Sequence, residues 1–149
     1  MRFNRFGLAF DHPENWSVDV DDAEGRQAVT VYAPDGGFWS VSGHASGAPP
    51  DELAAAVVRE MREQYKELDS EAAEEEVAGR RLRGFDLNFY CLDLTNTAQV
   101  RTLETPDAIY LLLCQAEDHD WERDAPVFAA MTKSFVTGLG AGNSRGSAS

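Results

Sequence analysis

The sequence predicts an α+β fold: one antiparallel β-sheet flanked by helices on both faces, an αβα sandwich. Three observations carry this. Residues 107–117 are apolar on both sides of an extended chain, with Ile109, Leu111 and Leu113 pointing one way and Tyr110, Leu112, Cys114 and Ala116 the other. A half-buried strand alternates apolar and polar residues, so this one must be covered on both faces. Only two other stretches have a convincing helical period, and the economical arrangement sets one helix on each face. Finally, the segments leading into the central strand read as successive hairpins, which build a meander.

Taken in order, residues 6–11 and 16–20 read as two strands around His12-Pro13-Glu14-Asn15, where Pro13 presets a turn and Asn15 tolerates a left-handed backbone. Trp16 is expected to pack where the second strand starts. The polar loop of Asp19, Asp21, Asp22, Glu24 and Gly25 has a spacing close to that of a calcium loop. Ala23 and Arg26 interrupt it and no bidentate glutamate follows, which excludes that site. Residues 28–33 and 38–43 form a hairpin turned by Pro34-Asp35-Gly36-Gly37, with one face wetter than the central strand. The small-residue loop at 44–48 carries no lysine or paired-glycine fingerprint, so a phosphate cradle is not expected.

The clearest helix is expected over residues 51–68. Pro50, Asp51 and Glu52 supply the proline and negative charge that a first turn favours, and Leu53, Val57, Met61, Tyr65 and Leu68 make one apolar stripe. Residues 70–77, rich in glutamate, read as a charged edge strand or as the reach for a basic partner. Beyond Gly79, Arg80, Arg81 and Arg83 open a long strand to about residue 94 and face the glutamates across a hairpin. Residues 97–104 form a further strand, turned by Thr105-Pro106-Asp107 into the central one. A last helix is expected over 125–134, with Val127, Phe128, Met131 and Phe135 on one face and Asp124 at its start, before Ala125-Pro126. Residues 1–137 would form a single domain, and the Gly- and Ser-rich residues 138–149 a disordered tail.

Charge narrows the function classes. Twenty-six acidic residues against 13 lysines and arginines leave a net charge of −13 over 149 residues, with Lys66 and Lys133 the only lysines. Such a surface repels phosphate backbones and anionic lipid, so neither nucleic acid nor membrane is an expected partner. The acidity reflects either solubility and salt adaptation or a basic protein partner. For the partner, the candidate contacts are Glu71, Glu74, Glu75 and Glu76. The apolar run near the start is too short for an export signal, and no stretch is long enough to span a bilayer, so a cytoplasmic, bacterial protein is expected. Cys91 and Cys114 read as small buried hydrophobes, since one intervening strand at about 4.8 Å spacing holds them too far apart for a disulfide.

Glu117-Asp118-His119-Asp120 is the one knot of possible metal ligands. In an alternative reading Asp118, His119 and Asp120 hold a divalent ion, or act as base and acid, in a metal-assisted hydrolase or small-molecule site. Against it, consecutive loop residues cannot all converge on one ion, and a solvated loop running into a helix cap is the simpler expectation.

With the elements placed, the pattern resembles the Mog/PsbP-like superfamily. The resemblance rests on the opening hairpin with Phe10, Pro13 and Trp16, the helix after two hairpins, the long strands that follow, and the closing Phe128, Met131, Ser134 and Phe135. It spans residues 3–136 and implies an antiparallel sheet between helices. It also implies a family used for binding proteins rather than for catalysis, with no catalytic residues to carry over. The expected function is a non-enzymatic protein-interaction domain, an adaptor or assembly factor, with an acidic surface, without cofactors, and monomeric or homodimeric. Leu112→Ala is expected to destabilise by about 2–5 kcal/mol and Glu75→Ala by no more than about 0.5.

Overall fold

The computed structural model describes residues 1–22, 27–45, 47, 49–65 and 67–148, with side chains through Leu139. The acidic loop residues Ala23, Glu24, Gly25 and Arg26, and Ser46, Ala48 and Lys66, lie outside the described residues. In chain order the elements are β1 (Arg2–Arg5), β2 (Leu8–Asp11), β3 (Ser17–Asp21), β4 (Gln27–Tyr32), β5 (Phe38–Ala45), α1 (Pro50–Gln64), β6 (Asp69–Val77), β7 (Arg80–Cys91), β8 (Leu94–Glu104), β9 (Ala108–Glu117) and α2 (Asp118–Ala148). Seven strands form one antiparallel sheet in the order β3-β4-β5-β9-β8-β7-β6, which puts the doubly apolar strand at its centre.

The two faces of β9 are covered as its sequence requires. Leu111 and Leu113 join Leu87, Phe89, Ala98 and Val100 under Ala54, Val58 and Met61 of α1. Leu112, Cys114 and Ala116 join Val29, Val31, Trp39 and Val41 under Phe128, Met131, Phe135 and Val136 of α2. Cys91 packs on the α1 side and Cys114 on the α2 side, and both are free thiols. Burial pushes the Cys114 thiol up to about 12. Helix α1 packs on β7, β8 and β9 and makes no comparable contact with β5 or β4. The uncovered half of that face carries Thr30, Ser40 and Ser42, the wetter side expected of the second hairpin.

Several expectations need correction. Residues 6–11 are not one strand paired with the next. Phe6 and Gly7, at φ of 59° and 76°, make a two-residue turn that pairs β1 with β2 in a separate hairpin. That hairpin lies on α2, where Phe10 packs 4.7 Å from Trp39 and the Asp11 N–H donates to Ser134 Oγ at 2.8 Å. Helix α1 stops at Gln64 because Tyr65 turns extended and lays its ring 4.5 Å from Phe89. Its most buried stripe is Ala54, Val58 and Met61, one position round from Leu53 and Val57. The largest difference is at α2, which begins directly after β9 at Asp118. Asp118 and Asp120 therefore supply the first-turn acids, Pro126 sits inside the helix, and Asp124 is not a cap. Pro126 has no N–H to donate to the Glu122 carbonyl, so the helix lacks that one bond. The residues expected as a tail, 138–149, overlap the end of this helix, whose side chains beyond Leu139 are not described.

Candidate functional site

Strand β6 is an edge of the large sheet, and its glutamates meet the arginines of β7 by register: Glu74 opposite Arg83, Glu76 opposite Arg81. Alternation along a strand divides the acidic run between two faces. Glu74 lies with Asp51 and Ala54 on the α1 side and is bonded by Arg81 at 3.1 Å, with Arg83 at 3.8 Å. Glu75 stands opposite buried Leu82, on the α2 side. Glu71 and Glu76 are exposed and form no ion pair among the described residues.

Glu75 has a partner the sequence reading did not assign. Arg101 of β8 is only 7% exposed. Its Nε donates to Glu75 at 2.7 Å, one terminal nitrogen donates to Asp86 at 2.7 Å, and the other to the carbonyls of Phe85 and Val100, each at 3.1 Å. Burial works against the guanidinium charge, but the hydrogen bonds it donates to Asp86 and Glu75 outweigh that and push the pKa further up. Gly84, opposite Arg101, is required here: a Cβ would lie 1.9 Å from the Val100 carbonyl oxygen. The visible signal was an arginine between Val100 and Thr102 in an inward-facing strand. Beside it, between α2 and the sheet, is a cleft of about 340 Å³ lined by Glu75, Gln99, Arg101, Cys114, Phe128 and Lys133 among others.

The acidic knot is not a loop but the junction of β9 and α2. Asp118 accepts from Thr97 Oγ1 at 2.6 Å. Asp120 is buried and bonded by Arg123 at 2.7 Å, with exposed His119 at 3.3 Å. One ligand atom each from Glu117, His119 and Asp120 lies within 4.8 Å of the others, so the possible trio includes Glu117 in place of Asp118. Arg123 also bonds Asp35, in the turn between β4 and β5, at 2.5 Å, and lies 3.7 Å from Asp124. The guanidinium thus already stands among three carboxylates.

Asp124 is 3% exposed, and its Oδ2 has no hydrogen-bond donor. It sits over Gly37, where a Cβ would come within 2.9 Å, and Gly37 N–H donates to Asp35 at 2.9 Å. Burial, first, and the neighbouring Asp35 carboxyl with its charge push the Asp124 carboxyl up to about 6. For Asp35 burial acts upward too, but the Gly37 N–H and the Arg123 guanidinium outweigh it and hold that carboxyl below its usual range. Arrangement and charge suit a fastening of α2 to the β4–β5 turn. Neither Asp35 nor Arg123 stood out in the sequence, where they lie 88 positions apart.

No family model and no curated protein matches the chain. Solved structures do. The solution structure of cyanobacterial PsbP (CyanoP) from Synechocystis superposes with a TM-score of 0.64 at 11% identity, covering 90% of this chain and 89% of that one. The fold is PsbP-like. A Pseudomonas aeruginosa protein of unknown function, whose name proposes a regulator, matches with a TM-score of 0.54 at 12% identity over 90% of this chain and 94% of its own. A Bacteroides thetaiotaomicron protein matches with a TM-score of 0.57 at 13% identity over 85% of this chain, which spans 43% of that longer protein. At these identities the PsbP-like likeness concerns architecture: a large antiparallel sheet with two helices.

Proposed function

We propose that this PsbP-like chain is a non-enzymatic protein-interaction domain, an adaptor or assembly factor, whose acidic surface receives a basic protein. The observation that carries the reading is the edge strand β6, nine residues long, with Glu71 and Glu76 exposed and unpaired among the described residues. Arginines from β7 and β8 offset Glu74 and Glu75 only. An edge presents unpaired backbone groups, and its charge selects for partners of opposite sign. The Mog side of the family resemblance and a cytoplasmic site of action belong to the same proposal. Among the described residues no helix is long and apolar enough to cross a membrane.

The test is charge reversal. Glu71→Lys combined with Glu76→Lys should weaken the captured partner by about tenfold or more while leaving the thermal midpoint within a few degrees. Unchanged affinity and unchanged salt dependence would remove the electrostatic reading. A second reading, a divalent ion or small ligand beside His119, is favoured by the convergence of Glu117, His119 and Asp120. Calorimetry with zinc, manganese and calcium should then give saturable heat that His119→Ala abolishes. Absence of heat with every ion would remove its metal-dependent form.

A further inference from the structure

The β7–β8 hairpin outruns both of its neighbours. Strand β6 stops pairing with β7 at Asn88, and β9 stops pairing with β8 at Asn96. The pairs Tyr90↔Thr95 and Cys91↔Leu94, with the turn Leu92-Asp93, therefore have no strand flanking them on either side, although Cys91 still packs toward α1. At roughly 3.3 Å per residue the ribbon projects about 10 Å beyond β6. Its tip is apolar: Leu92 is 92% exposed, Tyr90 50% and Leu94 46%.

Leu92 is misplaced by every internal criterion. It occupies the first central position of a two-residue turn at φ 53°, followed by Asp93 at φ 66°. Asparagine and glycine adopt that left-handed conformation readily, whereas a bulky side chain is strained there. A leucine at this point accepts strain and full exposure together and contributes nothing to the core. Such an outlier points to a use outside the domain.

The surroundings define what that use requires. Asp69 lies opposite Asn88, Glu117 opposite Asn96, and Asp118 is bonded to Thr97, so carboxylates surround the base of the ribbon, with Asp93 at its tip. The sequence has no lysine or arginine at 67–79, 84–100 or 102–122. We propose that the β7–β8 tip is the recognition element of the domain, inserting Leu92, with Tyr90 and Leu94 beside it, into an apolar pocket rimmed by lysine or arginine on a partner protein. This rests on the interaction reading above and moves its centre from the β6 edge to the end of the ribbon. Desolvated apolar anchors ringed by polar contacts are the usual source of binding energy at such interfaces. An anionic bilayer would be repelled by the same carboxylates.

The experiment introduces benzoylphenylalanine at position 92 of the full chain, and at exposed Thr137 as control, for photo-crosslinking in source cells. We expect a discrete protein joined to position 92 and not to 137. That protein, purified, should bind Leu92→Asp and Leu92→Asn at least 30-fold more weakly than the unsubstituted chain, and Asp93→Lys about tenfold more weakly. Leu92→Asn should at the same time raise the thermal midpoint, which a merely structural leucine would not allow. No crosslink above the control, a crosslink only to a second copy, or Leu92-dependent flotation with phosphatidylcholine–phosphatidylglycerol vesicles would overturn the proposal. So would full binding by Leu92→Asp. If that variant binds fully while Glu71→Lys/Glu76→Lys does not, the tip assignment falls and the interaction domain stands.

Discussion

At Asp124 a single carboxyl couples the fold to pH. Its pKa is raised from 3.8 to about 6, so it contributes stability fully below its unfolded value and loses that contribution as pH rises through about 6. Asp35, shifted the opposite way, contributes above about 4 and loses it as pH falls through its depressed folded value. Relative to Asp124→Asn, the unsubstituted chain should therefore lose stability steadily between about pH 4 and pH 7, read as the difference in urea midpoints. A difference constant over that range would contradict the burial of Asp124 beside the Asp35 charge. Glu75 corrects a second expectation. Removing it leaves Arg101, with a side chain 8% exposed, short of a charged hydrogen bond. Glu75→Ala should accordingly destabilise by about 1–3 kcal/mol rather than 0.5, and Glu76→Ala by less than about 0.5. Urea denaturation of the two variants separates these values.

At the level of elements, the strands were the most legible. The double apolarity of residues 109–116 placed β9 at the centre of the sheet because a period of two leaves no other way to bury both faces. Leu112→Ala should cost about 2–5 kcal/mol in chemical denaturation, as for any leucine 3% exposed in a packed core. Less legible were features fixed by contacts between distant residues. The β1–β2 hairpin hides behind a Phe-Gly turn, and its burial on α2 depends on Phe10 meeting Trp39. The start of α2 was misread because Ala125-Pro126 imitates a first turn, whereas the acids from Asp118 onward perform that role. Gly84 is the element-scale test of the Arg101 crossing. Gly84→Ala puts a methyl group on the Val100 backbone and should destabilise by about 1–3 kcal/mol or more, while an unchanged midpoint would mean that β7 and β8 are not so close.

For the whole molecule, the proposed interaction role draws on charge and architecture together. An antiparallel sheet held between two helices leaves its edge β6 and the β7–β8 tip outside the packed core, and both are lined by carboxylates. The candidate site was legible as composition, since the glutamate run and the acidic knot stand out in the sequence. Their division between sheet faces was not, because it follows from register, and Arg101 and Arg123 enter only through the fold. The measurement that bears most directly on the interaction reading is capture of partners by the tagged full chain from source lysate at about 50 mM and 500 mM salt, quantified by mass spectrometry. Charge-selected binding predicts a stoichiometric, basic protein retained at low salt and released at high salt, as screening shortens the reach of the carboxylates from about 14 Å to about 4 Å. A partner held equally at both salts, or no stoichiometric partner at either, would contradict the account.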